Sequence, residues 1–138
     1  MRRRWPKSCA ALILSVVACG GKSAEERIAE HERVRVAWEQ TVRFVGAEWA
    51  GRAIPDAYAA RTLERASEEL SAENDKLGKD EVPEEMRAQS QHALSASRAL
   101  ADSLERGVRA KDRGTVARLV ENSPNANADS LLRQAALR

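Results

Sequence analysis

The sequence predicts an all-α protein, a small antiparallel bundle of about four helices that follows a cleavable leader. After Cys19, no stretch shows the alternation of β-branched and polar residues that is typical of strands. Ala, Leu, Arg and Glu, which favour helices, dominate the same region. Proline and glycine divide it into amphipathic stretches with short connections, and this pattern favours successive helices that run in opposite directions.

The first helix is predicted from Ser23 to about Ala50. Ser23 and Glu26 have the spacing of a capping box, in which the hydroxyl and the carboxylate each bind a free amide at the helix start. At about 100° per residue, one apolar stripe is predicted, made of Val34, Trp38, Val42, Val45 and Trp49. Val36 and Phe44 lie off this stripe. Either the helix contacts two neighbours, or one of these side chains is exposed for a partner.

The second helix is predicted to begin at Pro55, which suits the first position of a helix, and to end near Gly78. Its apolar face is a seam of three leucines that repeat every seven residues, as in a coiled coil: Leu63, Leu70 and Leu77. Asn74 lies on the same narrow face. It either fixes the register of the helix as a buried amide or is solvated near the helix end.

Two further helices follow. Pro83 is predicted as the first residue of the third, which reaches about Ala110. The apolar face of the third helix carries Met86, Ala93, Leu94, Leu100, Ala101, Leu104 and Val108. Asp112 is placed to cap a fourth helix, whose apolar residues are Val116, Leu119 and Val120. Ser123-Pro124 interrupts the pattern before a last apolar segment that contains Leu131, Leu132 and Ala135.

The start of the chain has the pattern of a secretory leader. Four basic side chains precede an uncharged apolar run from Cys9 to Ala18, which is too short to cross a bilayer as a helix. The run ends at Val16-Val17-Ala18-Cys19 and resembles the lipobox of bacterial lipoproteins, with an aliphatic residue three positions before, and a small residue directly before, an acylated cysteine. This resemblance implies cleavage after Ala18, a diacylglycerol group on the Cys19 sulfur and an acyl chain on its new amino group.

The lipoprotein resemblance divides the chain into a signal peptide (1–18), a lipidated Cys19 with a short tether (19–22) and a helical bundle domain (23–138). Two or three acyl chains give stable anchoring, whereas a single chain does not. The resemblance therefore implies a protein held by lipid in the bacterial cell envelope and facing the periplasm. A Gly20 rather than an acidic residue after Cys19 favours the outer membrane over the inner membrane.

Charge and composition narrow the class of partner. The chain has 23 basic residues, and four of them belong to the leader, so 19 basic and 21 acidic side chains remain after cleavage. Without a basic excess, a nucleic-acid partner is excluded. The 22 alanines and only 25 large apolar side chains after Cys19 predict a thin core. The expected partners are the membrane, through the lipid anchor, and an envelope protein, with no oligomeric state selected.

No pattern of catalytic residues appears in the sequence. Phosphate-binding glycine loops and Gly-x-Ser-x-Gly motifs are missing, and acylation of Cys19 would leave no thiol nucleophile. His31 lies on the apolar stripe of the first helix, whereas His92 lies off the apolar face of the third. Neither has the glutamate three residues before it that di-iron bundles use. We expect no enzyme activity and no cofactor, with His31 a hydrogen-bonded core residue and His92 a surface residue; metal or haem binding by both is the other interpretation.

The helical layout carries a second resemblance. A four-helix run that ends in Leu-Glu-Arg-Gly-Val-Arg-Ala-Lys-Asp (104–112), followed by a short last helix, is similar to the layout of cytochrome c-prime-type bundles. The haem-attaching Cys-x-x-Cys-His motif is absent, and the expected region reads Asn-Ala-Asn-Ala-Asp-Ser-Leu-Leu-Arg-Gln (125–134). The resemblance therefore implies a shared scaffold without covalent haem.

Two functions are compatible with these features. The first is a lipid-anchored, non-enzymatic binding or accessory module for an envelope protein. Its candidate contact residues are Val36, Phe44 and Tyr58. The alternative is a small-ligand or metal-binding bundle in the periplasm, with a cavity between the first two helices where Trp38 and Trp49 face small side chains such as Ser67.

Overall fold

The structure, a computed structural model, describes residues 21–123, which form four α-helices and no strand. The helices are α1 (Ala24–Ala50), α2 (Asp56–Lys79), α3 (Glu84–Arg109) and α4 (Arg113–Glu121). The predicted all-α bundle of about four helices is therefore confirmed. The predicted leader, the lipobox cysteine and the last apolar segment lie outside the described residues.

Capping residues explain where the helices begin. The Ser23 Oγ accepts the amide of Glu26 at 3.2 Å, and the Glu26 carboxylate accepts the amide of Ser23 at 3.1 Å, so the predicted capping box is present. Asp112 caps α4 as predicted, because its side chain accepts the amide of Thr115 at 3.0 Å.

Pro55 and Pro83 were predicted as the first helical residues, and this detail is wrong by one position. Both prolines are extended, with ψ of 150° and 141°, and act as N-caps. Their carbonyls accept the first amides of the helices that follow, at 3.1 Å and 3.0 Å. Asp56 and Glu84 then occupy the first turns, where a carboxylate is stabilised by the positive end of the helix dipole.

Hydrogen bonds between helices show that successive helices run in opposite directions. Near one end of the bundle, the Trp49 Nε1–H donates to Asp56 at 2.8 Å, so the end of α1 lies beside the start of α2. Along α2 and α3, the Ser67 Oγ donates to Asp102 at 2.5 Å, and Arg98 donates to the Ser71 hydroxyl at 3.1 Å. Residue numbers therefore rise along α2 as they fall along α3.

The connections after α1 and after α3 are closed by the same kind of turn. Each has a non-glycine residue in the left-handed region, Arg52 with φ 64° and Lys111 with φ 57°. Each also has a backbone hydrogen bond from the residue after it to a carbonyl five residues earlier, at 2.8 Å for Ala53 and 2.9 Å for Asp112. Because α1 and α3 point the same way, both turns lie at the same end of the bundle, and the start of α1 lies at the other.

The core consists of two clusters. The larger one draws on all four helices and comprises Val42, Val45, Trp49, Ala59, Leu63, Ala66, Ala101, Leu104, Val108 and Val116. The smaller one comprises Leu70, Leu77, Val82 and Leu94, with Ala24 and Ile28 packed against it. Trp38 contacts both clusters. The predicted leucine seam of α2 is confirmed, since its three leucines are fully buried.

Two buried glycines allow α4 to approach α1 and α3 closely. A Cβ atom built on Gly107 would lie 2.5 Å from a methyl carbon of Val116, and one built on Gly46 would lie 2.9 Å from a methyl carbon of Val120. The two valines are one helical turn apart on α4 and occupy the space that larger side chains at the two glycine positions would fill. With 9 residues against the 27 of α1, α4 covers only part of the groove between α1 and α3.

Candidate functional site

The outward face of α1, which we define as Arg33, Val36, Ala37, Gln40 and Phe44, is not covered by the other described helices. Phe44 is 65% exposed and Val36 is half-buried. Four of these residues, all except Phe44, line a shallow depression together with Glu32. α1 also contacts α2, α3 and α4, so several neighbouring helices and an exposed Phe44, which were expected as alternatives, occur together.

Tyr58, the third candidate contact residue, is also at the surface. It lies in the first turn of α2 and is 57% exposed. Among residues 21–123, Phe44 and Tyr58 are the large hydrophobic side chains that remain exposed. The structure thus places the three candidates on two helices, with Val36 and Phe44 sharing one face.

His31 is buried between two carboxylates. Its Nδ1 lies 2.7 Å from Glu73 of α2, and its Nε2 lies 2.9 Å from Asp80 in the connection that follows α2. The second oxygen of Glu73 accepts from the Lys76 ammonium at 3.1 Å. We call His31, Glu73 and Asp80 the His31 cluster. It joins the first turns of α1 to the end of α2.

Burial lowers the pKa of His31, but its hydrogen bonds to Asp80 and Glu73 outweigh this effect, so the pKa is raised above its usual value. A ring that carries two protons donates to both carboxylates at once. Because both ring nitrogens of His31 bind carboxylates, the cluster joins α1 to the end of α2 and its side chains do not converge on one point as metal ligands would. In residues 21–123, no group of three or more His, Cys, Asp and Glu side chains is arranged to hold a metal ion.

A second buried cluster surrounds Glu39 of α1. Its carboxylate pairs with Arg35 one turn before and with Arg43 one turn after, and it accepts from the Ser97 hydroxyl of α3 at 2.7 Å. Arg35 also pairs with Glu32. The two arginine side chains that flank Glu39 are no more than 15% exposed. Charges shielded from water in this way interact more strongly than surface charges.

These donors determine the charge state of Glu39. Burial raises the pKa of a carboxyl group, but the hydrogen bonds from Ser97 and Arg43 and the charges of Arg35 and Arg43 together hold the pKa of Glu39 below its usual value. A catalytic acid needs the opposite shift. Glu39 therefore stays ionised and joins α1 to α3.

Beside the Glu39 cluster lies a cleft of about 480 Å³ among α1, α3 and α4. Its charged wall is formed by Arg35, Glu39 and Arg43. Its other wall is largely apolar and contains Ala93, Ala96 and Leu100 of α3 and Leu119 of α4. No pattern in the sequence indicated this cleft, because it exists only where α4 ends.

The residues named for a cavity between α1 and α2 have other roles. Trp49 is fully buried in the larger core cluster, where Arg113 lies 4.3 Å above its ring. Trp38 is partly buried against both core clusters. Ser67 is buried and donates to Asp102. These side chains fill the space between the helices.

His92 and Asn74 complete the set of residues that the sequence singled out. His92 is exposed on α3, as predicted. Asn74 is half-buried, and its Oδ1 atom has no hydrogen-bond partner within residues 21–123. Asn74 is therefore neither the fully buried amide nor the fully solvated residue that the two interpretations described.

Sequence reasoning missed Glu39 and the two partners of His31. Glu39, with an arginine four residues away on each side, has the spacing of exposed ion pairs on a helix surface. The helical wheel carried only a weak signal, because Glu39 lies about 100° around α1 from Trp38 and about 60° from Val42, at the edge of the apolar stripe. Glu73 and Asp80 carried no comparable signal.

Comparisons of the chain with protein-family models, with curated proteins and with solved structures found no match. None of the helices in the described part of the chain is both long and apolar enough to span a membrane.

Proposed function

We propose that this protein is a lipid-anchored, non-enzymatic binding module of the bacterial cell envelope. In this proposal, lipid on Cys19 holds it at a membrane, preferably the outer membrane, and the outward face of α1 binds an envelope protein. The observation that carries the proposal is the exposure of Phe44, with half-buried Val36 about two turns before it, on a helix face that α2, α3 and α4 leave open. The lipobox at residues 16–19 supports the location.

The chemistry of this face suits a protein partner. An exposed phenylalanine gains free energy when a partner removes it from water, and aromatic side chains are frequent among the residues that dominate binding. Ala37 provides a small neighbour against which a partner side chain packs, while Arg33 and Gln40 supply polar groups at the edge. An apolar centre with a polar rim is the usual composition of such contacts.

The lipid anchor is tested by mass spectrometry of residue 19. We expect the protein from its own host to begin at Cys19 and to carry the added mass of diacylglycerol and an acyl chain. Cys19→Ser should lack this mass, because serine offers no thiol for the diacylglycerol transfer. Cys9→Ser, in the leader, is the matched control and should retain it. A native chain without lipid on residue 19 would remove the anchor from the proposal.

The contact face is tested with Phe44→Glu. We expect this variant to lose a co-purifying envelope protein in capture from mild-detergent extracts, with a weakening of binding by about thirtyfold, which corresponds to about 2 kcal/mol. Ala88→Glu introduces the same charge at an exposed position of α3 and should retain the partner. Tyr58→Glu then shows whether the contact extends to α2.

Circular dichroism of each variant establishes that the bundle is folded. Since Phe44 is exposed, its replacement should leave the helical signal intact. A captured set that is the same for Phe44→Glu, Ala88→Glu and the parent chain would overturn the assignment of this face.

A further inference from the structure

The cleft among α1, α3 and α4 continues the groove in which α4 lies. α4 packs over Gly46 and Gly107 and ends at Glu121. Beyond that end, the wall of the cleft runs along α1 from Arg43 back to Arg35. These positions are two helical turns apart, which corresponds to about 12 Å.

One buried donor in the cleft has no acceptor among residues 21–123. Arg43 pairs with Glu39 through Nη2, and its Nη1 lies 3.5 Å from the carbonyl oxygen of Ser123. Its buried Nε–H has no hydrogen-bond partner among the described residues. Leaving a buried donor unpaired costs free energy. The occupant that suits this cleft therefore brings both apolar side chains and an oxygen acceptor.

The chain itself reaches the cleft at Ser123, which is buried and lines its wall. The sequence continues through residues 124–138. Asn125 and Asn127 follow within four residues, a length of chain that spans at most about 14 Å. Their side-chain oxygens are acceptors of the kind that Arg43 lacks. The large apolar residues of the segment are Leu131, Leu132 and Leu137.

We propose that residues 124–138 occupy this cleft in the same molecule. Their leucines would cover the apolar wall at Ala96, Leu100 and Leu119, and an asparagine side chain would accept from the Arg43 Nε–H. In this position the segment would extend the path of α4 along the groove between α1 and α3. It leaves the outward face of α1 free for the partner proposed above, so the two proposals stand independently.

The test places one fluorophore on the full chain. With Cys9→Ser and Cys19→Ser the protein has no other cysteine, so Ala96→Cys labels the cleft wall alone. Ser95→Cys is the matched control, since Ser95 is the neighbouring residue, is exposed like Ala96 and does not line the cleft. Quenching by acrylamide, which is uncharged, reports how open each position is. We expect severalfold weaker quenching at position 96 than at position 95.

Two charged variants then test the occupant. Leu131→Asp with Leu132→Asp should raise quenching at position 96 to the level of position 95, because carboxylates are costly to bury against an apolar wall. Ser130→Asp with Gln134→Asp adds the same charge at polar positions of the segment and should leave position 96 shielded.

Three results would overturn the proposal. The first is equal quenching at positions 95 and 96 in the parent chain, which means an open cleft. The second is continued shielding of position 96 in the double leucine variant, which means that another molecule covers it. The third is shielding that grows with protein concentration, which means a second copy of the chain. If circular dichroism shows that the leucine variant is unfolded, the comparison of positions 95 and 96 in the parent decides.

Discussion

At the scale of single residues, the charge of His31 determines how firmly α1 is joined to α2. Its pKa is raised above 6.5, so its contribution to stability is fully present below pH 6.5 and is lost as the pH rises through the folded-state value. The hydrogen bond from His31 lowers the pKa of Asp80 from 3.8. The contribution of Asp80 to stability is therefore present above pH 3.8 and is lost as the pH falls through its lower folded-state pKa. The His31 cluster is therefore strongest between these two limits.

His31→Gln should lower the free energy of unfolding by about 2 kcal/mol at pH 6, because it removes charge-assisted hydrogen bonds and leaves Glu73 buried with Lys76 as its remaining partner. The loss should shrink as the pH rises through the raised folded-state pKa of His31, because the native ring then loses a proton and donates to one carboxylate only. Urea unfolding of both proteins at several pH values measures this difference. His92→Gln, an exposed histidine, should follow the parent curve. Parallel curves for His31→Gln and the parent would contradict the assignment.

The sequence predicts the environment of some single residues and not of others. Helical spacing was sufficient to place His31 on the apolar side of α1, because that inference needs only the periodicity of one helix. Its partners lie 42 and 49 residues away, so they depend on how α1 and α2 align. Glu39 shows the opposite problem. Its neighbours along the helix indicate a surface ion pair, and only the position of Ser97 on α3 makes it a buried one.

At the scale of helices, the close approach of α4 depends on two glycines in its neighbours. Gly107→Ala should destabilise the protein by about 1–3 kcal/mol, because the added methyl group would lie 2.5 Å from Val116. Alanine in a helix interior is otherwise favoured over glycine by about 1 kcal/mol, so the direction of the change is informative. Urea unfolding at fixed pH measures it.

Gly78→Ala is the matched control for that substitution. A methyl group there would meet Gln91 at 3.6 Å, which is an ordinary contact. This variant should therefore be unchanged or more stable by up to about 1 kcal/mol. If both alanine variants behave alike, α4 shifts to make room and the contact is not tight.

Helix boundaries were the part of the fold that the sequence predicted best. Capping residues and prolines act locally, and the start of α1, the cap of α4 and the leucine seam of α2 were all predicted correctly. The extent to which α4 covers the groove could not be predicted from the sequence, since it depends on how far one short helix reaches along two long ones. The cleft depends on that reach, as does the Arg43 Nε–H, which has no acceptor in the described part of the chain, and both were missed for the same reason.

At the scale of the whole molecule, the two ends of the bundle differ in how they are held together. The end with the two left-handed turns contains the larger core cluster and all four helices. At the other end, the described helices contribute four buried apolar residues, and the His31 cluster takes the place that α4 has at the first end. Fewer buried apolar contacts mean that local opening costs less free energy.

Native-state hydrogen exchange should resolve this difference. Amides of α2 near Ala59, Leu63 and Ala66 should exchange only through global unfolding, because they lie beside the fully buried Trp49. Amides in the second turn of α1, near Ile28, should exchange through a smaller opening whose free energy is insensitive to urea. Equal protection at both ends would show that the bundle opens as one unit.

The length and direction of α1 determine how far from the membrane each part of the molecule would lie in a chain anchored at residue 19. From Ala24 to Ala50 the helix rises about 40 Å, and Phe44 lies about 30 Å along it. In a chain anchored at residue 19, a helix standing upright on its short tether would therefore carry the Arg52 and Lys111 turns farthest into the periplasm. A partner embedded in the same membrane would need a domain that projects to that level to meet Phe44.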